Sequence, residues 1–472
     1  MKARREGWWV AAVALFARLC AAFWGASRFP PSADGYYYHR LAHRLASGEG
    51  YTWRWPDGVV THAAHYPVGY PGLLAPSYAL FGTTPLVAMV INALVGTLGC
   101  WAIFAATRRH VGRRTALVAG TLAALHPALV FYTPALMTEG VVAAGWAVAA
   151  WCAGEAALAS GRSRHGWFVA ASVVMGLATL VRPQSVLLAP FVGAIAWPGR
   201  RGSGAVVATA LTVACCAPWT LRNCDQMGRC AFVSVNGGWN MLIGTDPDGR
   251  GGWAELKVPD SCREVFDEAG KDACFQQAAR REIAADPLAW LSLVPRKLAV
   301  TFDYAGAPGW YLHAANPKAF GEGAKFALGV AETVYQRVLL AAAILAAWWR
   351  GRWSSRQRSG ASSGGGARNG VWRGRFRASL AVVAAMATCW EHAVVAWLVL
   401  PILLIGARTS WRRPTWAMTV GAVASLVVVH AVFFGAGRYQ LVVWLVILGV
   451  AADGLLLLRR WGGQLRLRRH AR

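Results

Sequence analysis

Runs of Ala, Val and Leu long enough to cross a bilayer recur along this chain, and they limit its fold more than any other feature. A helix needs about 18–20 consecutive apolar residues to span the hydrocarbon core. Backbone groups there have no water to bond, so a span must be a helix or part of a closed barrel, and a barrel would show short alternating segments instead of these runs. The composition agrees, at 56% hydrophobic and 15% charged with a mean hydropathy of +0.37. The sequence therefore predicts an all-α polytopic membrane protein with about twelve transmembrane helices. They fall near 8–26, 84–107, 115–133, 139–158, 167–181, 184–198, 204–221, 328–349, 378–390, 393–408, 414–434 and 440–458. Within 378–408, Glu391-His392 divides a run that is short for two spans and long for one.

The net charge of +26 lies in Arg clusters that punctuate alternate loops: Lys2 to Arg5, Arg108 to Arg114, Arg162 to Arg164, Arg200-Arg201, Arg350 to Arg377, Arg412-Arg413, and Arg459 onward. Under the positive-inside rule these loops and both termini face the cytoplasm of a multi-pass plasma-membrane protein. That distribution reads as a topological signal and an anchor for anionic membrane lipids, with no nucleic-acid partner. Segments 28–83, 134–138, the turn at Arg182-Pro183, 222–327 and the tip at 435–440 then lie outside. Three units follow: an N-terminal transmembrane module (1–221), a large outer loop (222–327), and a C-terminal module (328–472) with a basic linker at 350–377 and a basic tail. The first span reads as a retained signal anchor. Residues 359–370 read as a flexible Gly/Ser linker. Arg18, inside the first span, has no explanation at this level.

Six cysteines, Cys20, Cys100, Cys152, Cys215, Cys216 and Cys389, lie in apolar spans as small packing residues. Cys224, Cys230, Cys262 and Cys274 all lie in the outer loop. An even number in an oxidising compartment suggests disulfides, and neighbour pairing is the simplest of three connectivities. Zinc is the alternative, although neither pair has the two-residue spacing of a structural site.

Polar groups next to aromatics or prolines mark the outer segments. The first holds Asp34 in Pro30-Pro31-Ser32-Ala33-Asp34-Gly35-Tyr36-Tyr37-Tyr38, followed by an amphipathic stretch with Leu41, Ala42 and Leu45. A carboxylate at the membrane surface suits a reaction at a lipid head group. It equally suits the first turn of a helix, where the macrodipole favours an acid. His62 and His65 lack a third metal ligand nearby and read as hydrogen-bonding residues. Glu139 stands at the outer end of a span, either as a second carboxylate facing the cavity or in a first turn capped by Thr138. Arg182, Arg222 and Arg438 carry positive charge at outer span ends, against the general rule. A guanidinium can grip phosphate through two parallel bonds, or snorkel, or pair with Glu139. In the turn-rich 234–248 segment, Asn236 and Asn240 could donate hydrogen bonds and Trp239 could stack on a sugar, though an ordinary outer loop would look similar.

In this order, Asp34-Gly35-Tyr36-Tyr37-Tyr38, Tyr66-Pro67-Val68-Gly69-Tyr70-Pro71, Thr138-Glu139, Leu180-Val181-Arg182-Pro183, Pro218-Trp219-Thr220-Leu221-Arg222-Asn223, Asn236-Gly237-Gly238-Trp239-Asn240 and Arg438-Tyr439 resemble the GT-C class of membrane glycosyltransferases. The resemblance is to the branch with protein O-mannosyltransferases and aminoarabinose transferases. It implies a GT-C fold whose extracytoplasmic loops form the active site. It also implies inverting transfer of a sugar from a polyprenyl-phosphate donor to a hydroxyl of an envelope acceptor. Asp34 would be general base and Glu139 a second catalytic carboxylate. Tyr38, His65, Tyr66, Arg182, Arg222, Asn223, Asn236, Asn240, Arg438 and Tyr439 would contact substrate. No cofactor is assigned; some members use a divalent metal and others do not, so a metal stays open. Where some relatives have basic residues before the Pro-rich turn, this chain has His65-Tyr66. The competing reading is a lipid-carrier flippase or transporter, which would place ionisable groups near the bilayer midplane.

Overall fold

The computed structural model describes residues 2–359, 366–389, 392–407 and 410–470. Part of the expected linker (360–365), Glu391 of the Glu391-His392 break and the last two residues of the basic tail lie outside the described residues. The chain is an all-α multi-pass membrane protein apart from one small hairpin. Among the described residues, eight helices are long and apolar enough to cross a membrane. They are Arg5–Ala26, Pro85–His110, Glu139–Leu158, Gly161–Val181, Arg201–Gln226, Glu322–Gly351, Pro414–Val432 and Gly437–Arg460. Of the other expected spans, 184–198, 378–390 and 393–408 correspond to shorter apolar helices at Pro183–Ala196, Phe376–Ala387 and Ala393–Ile405.

The expected span at 115–133 is broken into Arg113–Ala124 and Pro127–Phe131. Pro127 has no N–H to offer the carbonyl four residues back, that of Ala123, so the helical ladder stops there. Arg18 repairs the gap. Its guanidinium, 2% exposed, donates to Ala124 O at 3.1 Å, Ala123 O at 3.2 Å and Ala14 O at 3.3 Å. Gly96 leaves room for it, since a Cβ there would lie 2.6 Å from Arg18 Nε. The buried arginine unexplained by sequence is therefore a donor for carbonyls that a proline leaves unpaired in an apolar medium.

Small residues let the helices close up. A Cβ on Gly99 would come within 2.8 Å of Ala144 Cα, so Pro85–His110 and Glu139–Leu158 cross nearly backbone to backbone. A Cβ on Gly193 would meet Gly204 O at 2.0 Å, bringing Ala189–Ala196 equally close to Arg201–Gln226. At one end of the bundle the basic clusters converge on single acids. Asp453 accepts two bonds of 2.9 Å from Arg350 and one of 3.1 Å from Arg413. Glu6 binds Arg108 at 2.8 Å and also Arg113. Glu139 begins the helix whose other end carries Glu155, 3.8 Å from Arg109.

Outside the bundle, Asp34–Ala46 precedes an antiparallel hairpin of Thr52–Arg54 with Val60–His62, in the register Trp53 to Thr61. The large loop folds into Gly237–Ile243, Glu268–Ala285, Pro287–Phe302 and Ala307–Ala315. Glu268–Ala285 and Pro287–Phe302 are separated at Asp286-Pro287, where Asp286 accepts from Ala289 N–H at 2.9 Å and caps the second helix. Cys224 is bonded to Cys230, and Cys262 to Cys274.

Arg18→Leu should strand the Ala123 and Ala124 carbonyls and cost about 1–3 kcal/mol, read as a lower melting midpoint of the purified protein. Arg18→Lys, with fewer donors, should fall between the two. An unchanged midpoint for Arg18→Leu would show that the carbonyls need no partner.

Candidate active site

Asp34 opens its helix, yet its side chain does not cap it: no side-chain bond closes the first turn. Oδ2 instead lies 2.8 Å from Arg438 Nη1, and Oδ1 accepts from the Tyr66 hydroxyl at 3.4 Å. The helix-start role is real for the backbone, but it leaves the carboxylate free for other work. Two features hold it in place. Ala33, just before it, has φ 47°, a region L residues rarely adopt and one that costs about 1–3 kcal/mol. Gly35 allows the helix to approach the 136–139 turn, because a Cβ there would sit 2.4 Å from the Tyr311 hydroxyl and 3.2 Å from Leu136 O. Tyr311 in turn donates to Ser32 O.

Glu139 starts the Glu139–Leu158 helix with a side chain only 1% exposed. Its Oε1 is 3.1 Å from Arg182 Nη1 and 3.7 Å from Arg438 Nε. Its Oε2 is buried with no hydrogen-bond partner among the described residues. Arg438 therefore bridges the two carboxylates. Tyr439 completes the group, with the guanidinium carbons of Arg182 and Arg438 at 4.8 and 5.2 Å from its ring centre and His430 stacked on it at 4.5 Å. Burial, followed by the Asp34 charge, pushes the Tyr38 phenol well above its ordinary range, so it remains a neutral donor beside the acids. Burial and the Asp34 charge do the same to Tyr66. His65 is pushed down to about 4 by burial, against the opposing pull of Asp34, and is uncharged at neutral pH.

Of the residues expected to make the site, Asp34, Glu139, Tyr38, Tyr66, Arg182, Arg438 and Tyr439 come together. His65 lies alongside, its ring 4.9 Å from Tyr66 and 5.2 Å from Trp239. Arg222 and Asn223 are not brought into the cluster. Arg222 donates to Ala63 O at 2.8 Å, Tyr51 O at 2.9 Å and Asn223 Oδ1 at 3.1 Å, while Asn223 donates to Ala231 O and Val233 O. Arg222 thus ties the end of its helix to the 51–63 segment, and Asn223 ties it to the 231–233 stretch that follows the helix. Asn236 accepts from Ser234 at 3.0 Å, and Asn240 continues the same short helix; neither contacts the carboxylates. Among the described residues no three His, Cys, Asp or Glu side chains converge on a point, and both clustered acids already face arginine.

Sequence reasoning missed Tyr311, His430 and Glu268. Glu268 Oε2 accepts from the Ala64 and His65 N–H groups at 2.6 and 2.9 Å, fixing the backbone ahead of Tyr66. Tyr311 and Glu268 act across more than 200 residues of chain, so nothing local singles them out, and His430 matters only through Tyr439, which it meets near the end of its own helix. Beside the cluster an open cleft of about 960 Å³ is walled in part by Tyr37, His65, Tyr66 and Trp239.

Residues 65–221, about a third of the chain, match the sequence model of a family described as dolichyl-phosphate-mannose-protein mannosyltransferase. That stretch includes Glu139 and Arg182 but neither Asp34 nor Arg438. The match covers less than half of the chain and stands as a similarity. No curated protein matches the sequence. Among solved structures, the archaeal oligosaccharyltransferase AglB from Archaeoglobus fulgidus, in complex with an inhibitory peptide and a dolichol-phosphate, is similar with a TM-score of 0.41 and 14% identity. The alignment covers 97% of this chain and 52% of that one, so the present chain spans about half the archaeal protein's length. ArnT from Cupriavidus metallidurans bound to undecaprenyl phosphate aligns at TM-score 0.38 and 18% identity, over 94% of this chain and 77% of that one.

Arg182→Met should leave a buried Glu139 with only the longer Arg438 contact and lower stability by about 3–5 kcal/mol. Adding Glu139→Gln should recover most of that loss in the melting midpoint; equal midpoints for the single and double variants would mean the pair is not coupled. A pH series tests His65. Its folded value lies below its ordinary 6.5, so the unfolded chain binds the extra proton and stability should fall as pH drops from about 6.5 to about 4. The slope from this one group is at most about 1.4 kcal/mol per pH unit, and the His65→Gln variant should show a shallower decline.

Proposed function

We propose that the protein is an inverting glycosyltransferase that moves a sugar from a polyprenyl-phosphate carrier to a hydroxyl of a cell-envelope acceptor at the extracytoplasmic face, with both termini cytoplasmic. One observation carries the reading. Asp34, Glu139, Arg182 and Arg438 come from segments far apart in the chain, and their charged groups meet through contacts of 2.8–3.7 Å beside an open cleft. The match of residues 65–221 to a lipid-phosphate-mannose transferase family adds support.

The acceptor oxygen attacks the anomeric carbon as the bond from that carbon to the carrier phosphate oxygen breaks. Its proton passes to Asp34, and polyprenyl phosphate leaves with the bonding electron pair. Attack opposite the departing phosphate inverts the anomeric centre. Asp34 is ion-paired with Arg438 at 2.8 Å. A phosphate arriving beside Arg438 competes for the guanidinium, weakening its hold on Asp34 as substrate binds. Arg182 and Arg438, held over Tyr439, then face the charge that develops on the leaving group. The buried Glu139 keeps both arginines in place while the phosphate comes and goes.

Asp34→Asn keeps the shape and removes the base. In proteoliposomes supplied with a polyprenyl-phosphate sugar, its turnover should fall about 10²- to 10⁴-fold while insertion and melting midpoint stay close to wild type. Full transfer activity in a folded Asp34→Asn protein would refute the assignment. Carrier translocation surviving intact in a protein that never transfers sugar would favour a flippase instead.

A further inference from the structure

The cleft beside the carboxylates is built from unusual material for a membrane protein. Its walls come from the Asp34–Ala46 helix, the hairpin and the residues that follow it, and the outer segments around 239 and 265–271. None of the helices long enough to cross a membrane contributes a lining residue. A polyprenyl tail needs apolar span surface alongside it, so this cleft suits a molecule arriving from water.

Large aromatic rings stand in the open there. Tyr36 is 45% exposed, Tyr37 38%, Trp55 42% and Phe266 86%. Such rings are normally largely buried. Tyr37 also belongs to a connected aromatic platform, because it stacks on Tyr66 at 4.9 Å with 19° between planes and meets Trp53 at 5.1 Å and Tyr36 at 5.6 Å. A flat apolar surface edged with hydroxyls fits the C–H face of a pyranose while leaving its own hydroxyls to polar neighbours. The cleft is also basic. Arg40, Arg54 and Lys271 line it, and among the described residues neither arginine has an ion-pair partner. The carboxylate that lines it, Glu268, is already bonded to the Ala64 and His65 backbone, and His65 itself is neutral.

We infer that the cleft binds an acidic saccharide, a sugar bearing phosphate or carboxylate, as the hydroxyl acceptor, with its ring on the Tyr37 and Trp53 platform and its anion beside Arg40 and Arg54. The assignment rests on the transfer reading above. Tyr66 makes the connection: its ring belongs to the platform, and its hydroxyl donates to Asp34. An acceptor hydroxyl reaching Tyr66 is therefore next to the base.

Full-length protein in nanodiscs, titrated by saturation-transfer NMR, tests the inference with maltose, maltose 6′-phosphate and digalacturonic acid. Both acidic sugars should bind at least tenfold more tightly than maltose. The Arg40→Gln/Arg54→Gln variant should lose most of that preference while keeping its affinity for maltose, and farnesyl phosphate should not displace the sugars. Equal affinity for acidic and neutral sugars, no binding of any, or displacement by farnesyl phosphate would each overturn it, the last by making the cleft a donor site. The Asp34→Asn variant separates the two readings because binding needs no base. Asp34→Asn should keep the acidic preference while losing transfer; acidic preference in a wild-type protein that transfers no sugar overturns the transfer reading and with it the acceptor role, whereas active wild-type transfer without acidic preference overturns the acceptor assignment alone.

Discussion

The ion network of Asp34, Arg438, Glu139 and Arg182 is the interaction around which the candidate site is arranged. Two acids and two guanidiniums balance, so charges that would be costly alone can sit at the top of an apolar bundle. The balance is asymmetric in burial: the Glu139 side chain is 1% exposed, whereas that of Asp34 is 31% exposed. The buried acid is therefore the fixed post, and the open one is the group a substrate can reach. Because Arg438 touches both, anything that draws it away changes Asp34 most.

That arginine is held by the outer loop as much as by its own helix. Lys297, fully buried, donates to Ala431 and Val432 carbonyls at 3.4 and 3.2 Å, putting a cation at the end of Pro414–Val432 where the macrodipole favours one. Gly435 donates to Gly251 O at 2.8 Å, and a Cβ there would lie 2.1 Å from Lys297 O. A Cβ on Gly437 would meet the Tyr304 ring at 2.0 Å. The stretch leading to Arg438 thus fits against Lys297, Tyr304 and Gly251 with no space for a side chain, so the 251–304 segment helps aim the arginine.

Helix breaks follow a similar logic. Proline at 127 ends a span early, and the bundle accepts this because Arg18 reaches the carbonyls left over. A hydropathy profile counts apolar residues and has no access to a donor arriving from a helix about 100 residues earlier. The profile therefore placed one span at 115–133 where there are two short helices, and it left Arg18 without a role.

Local chemistry alone settles much of this protein. Apolar run length dictates helical spans, since backbone groups in hydrocarbon can pair no other way. The acids and arginines at span ends, Glu139, Arg182 and Arg438 among them, were legible for the same reason, because such groups are expensive without a use. Pairing was not legible. Arg182, Arg222 and Arg438 look equivalent in sequence, yet two converge on the carboxylates while Arg222 turns to the backbone of Tyr51 and Ala63. Only packing decides which cation meets which acid, because ion pairing is strong over a few ångströms and the partners here are brought together from as far apart as residues 34 and 438.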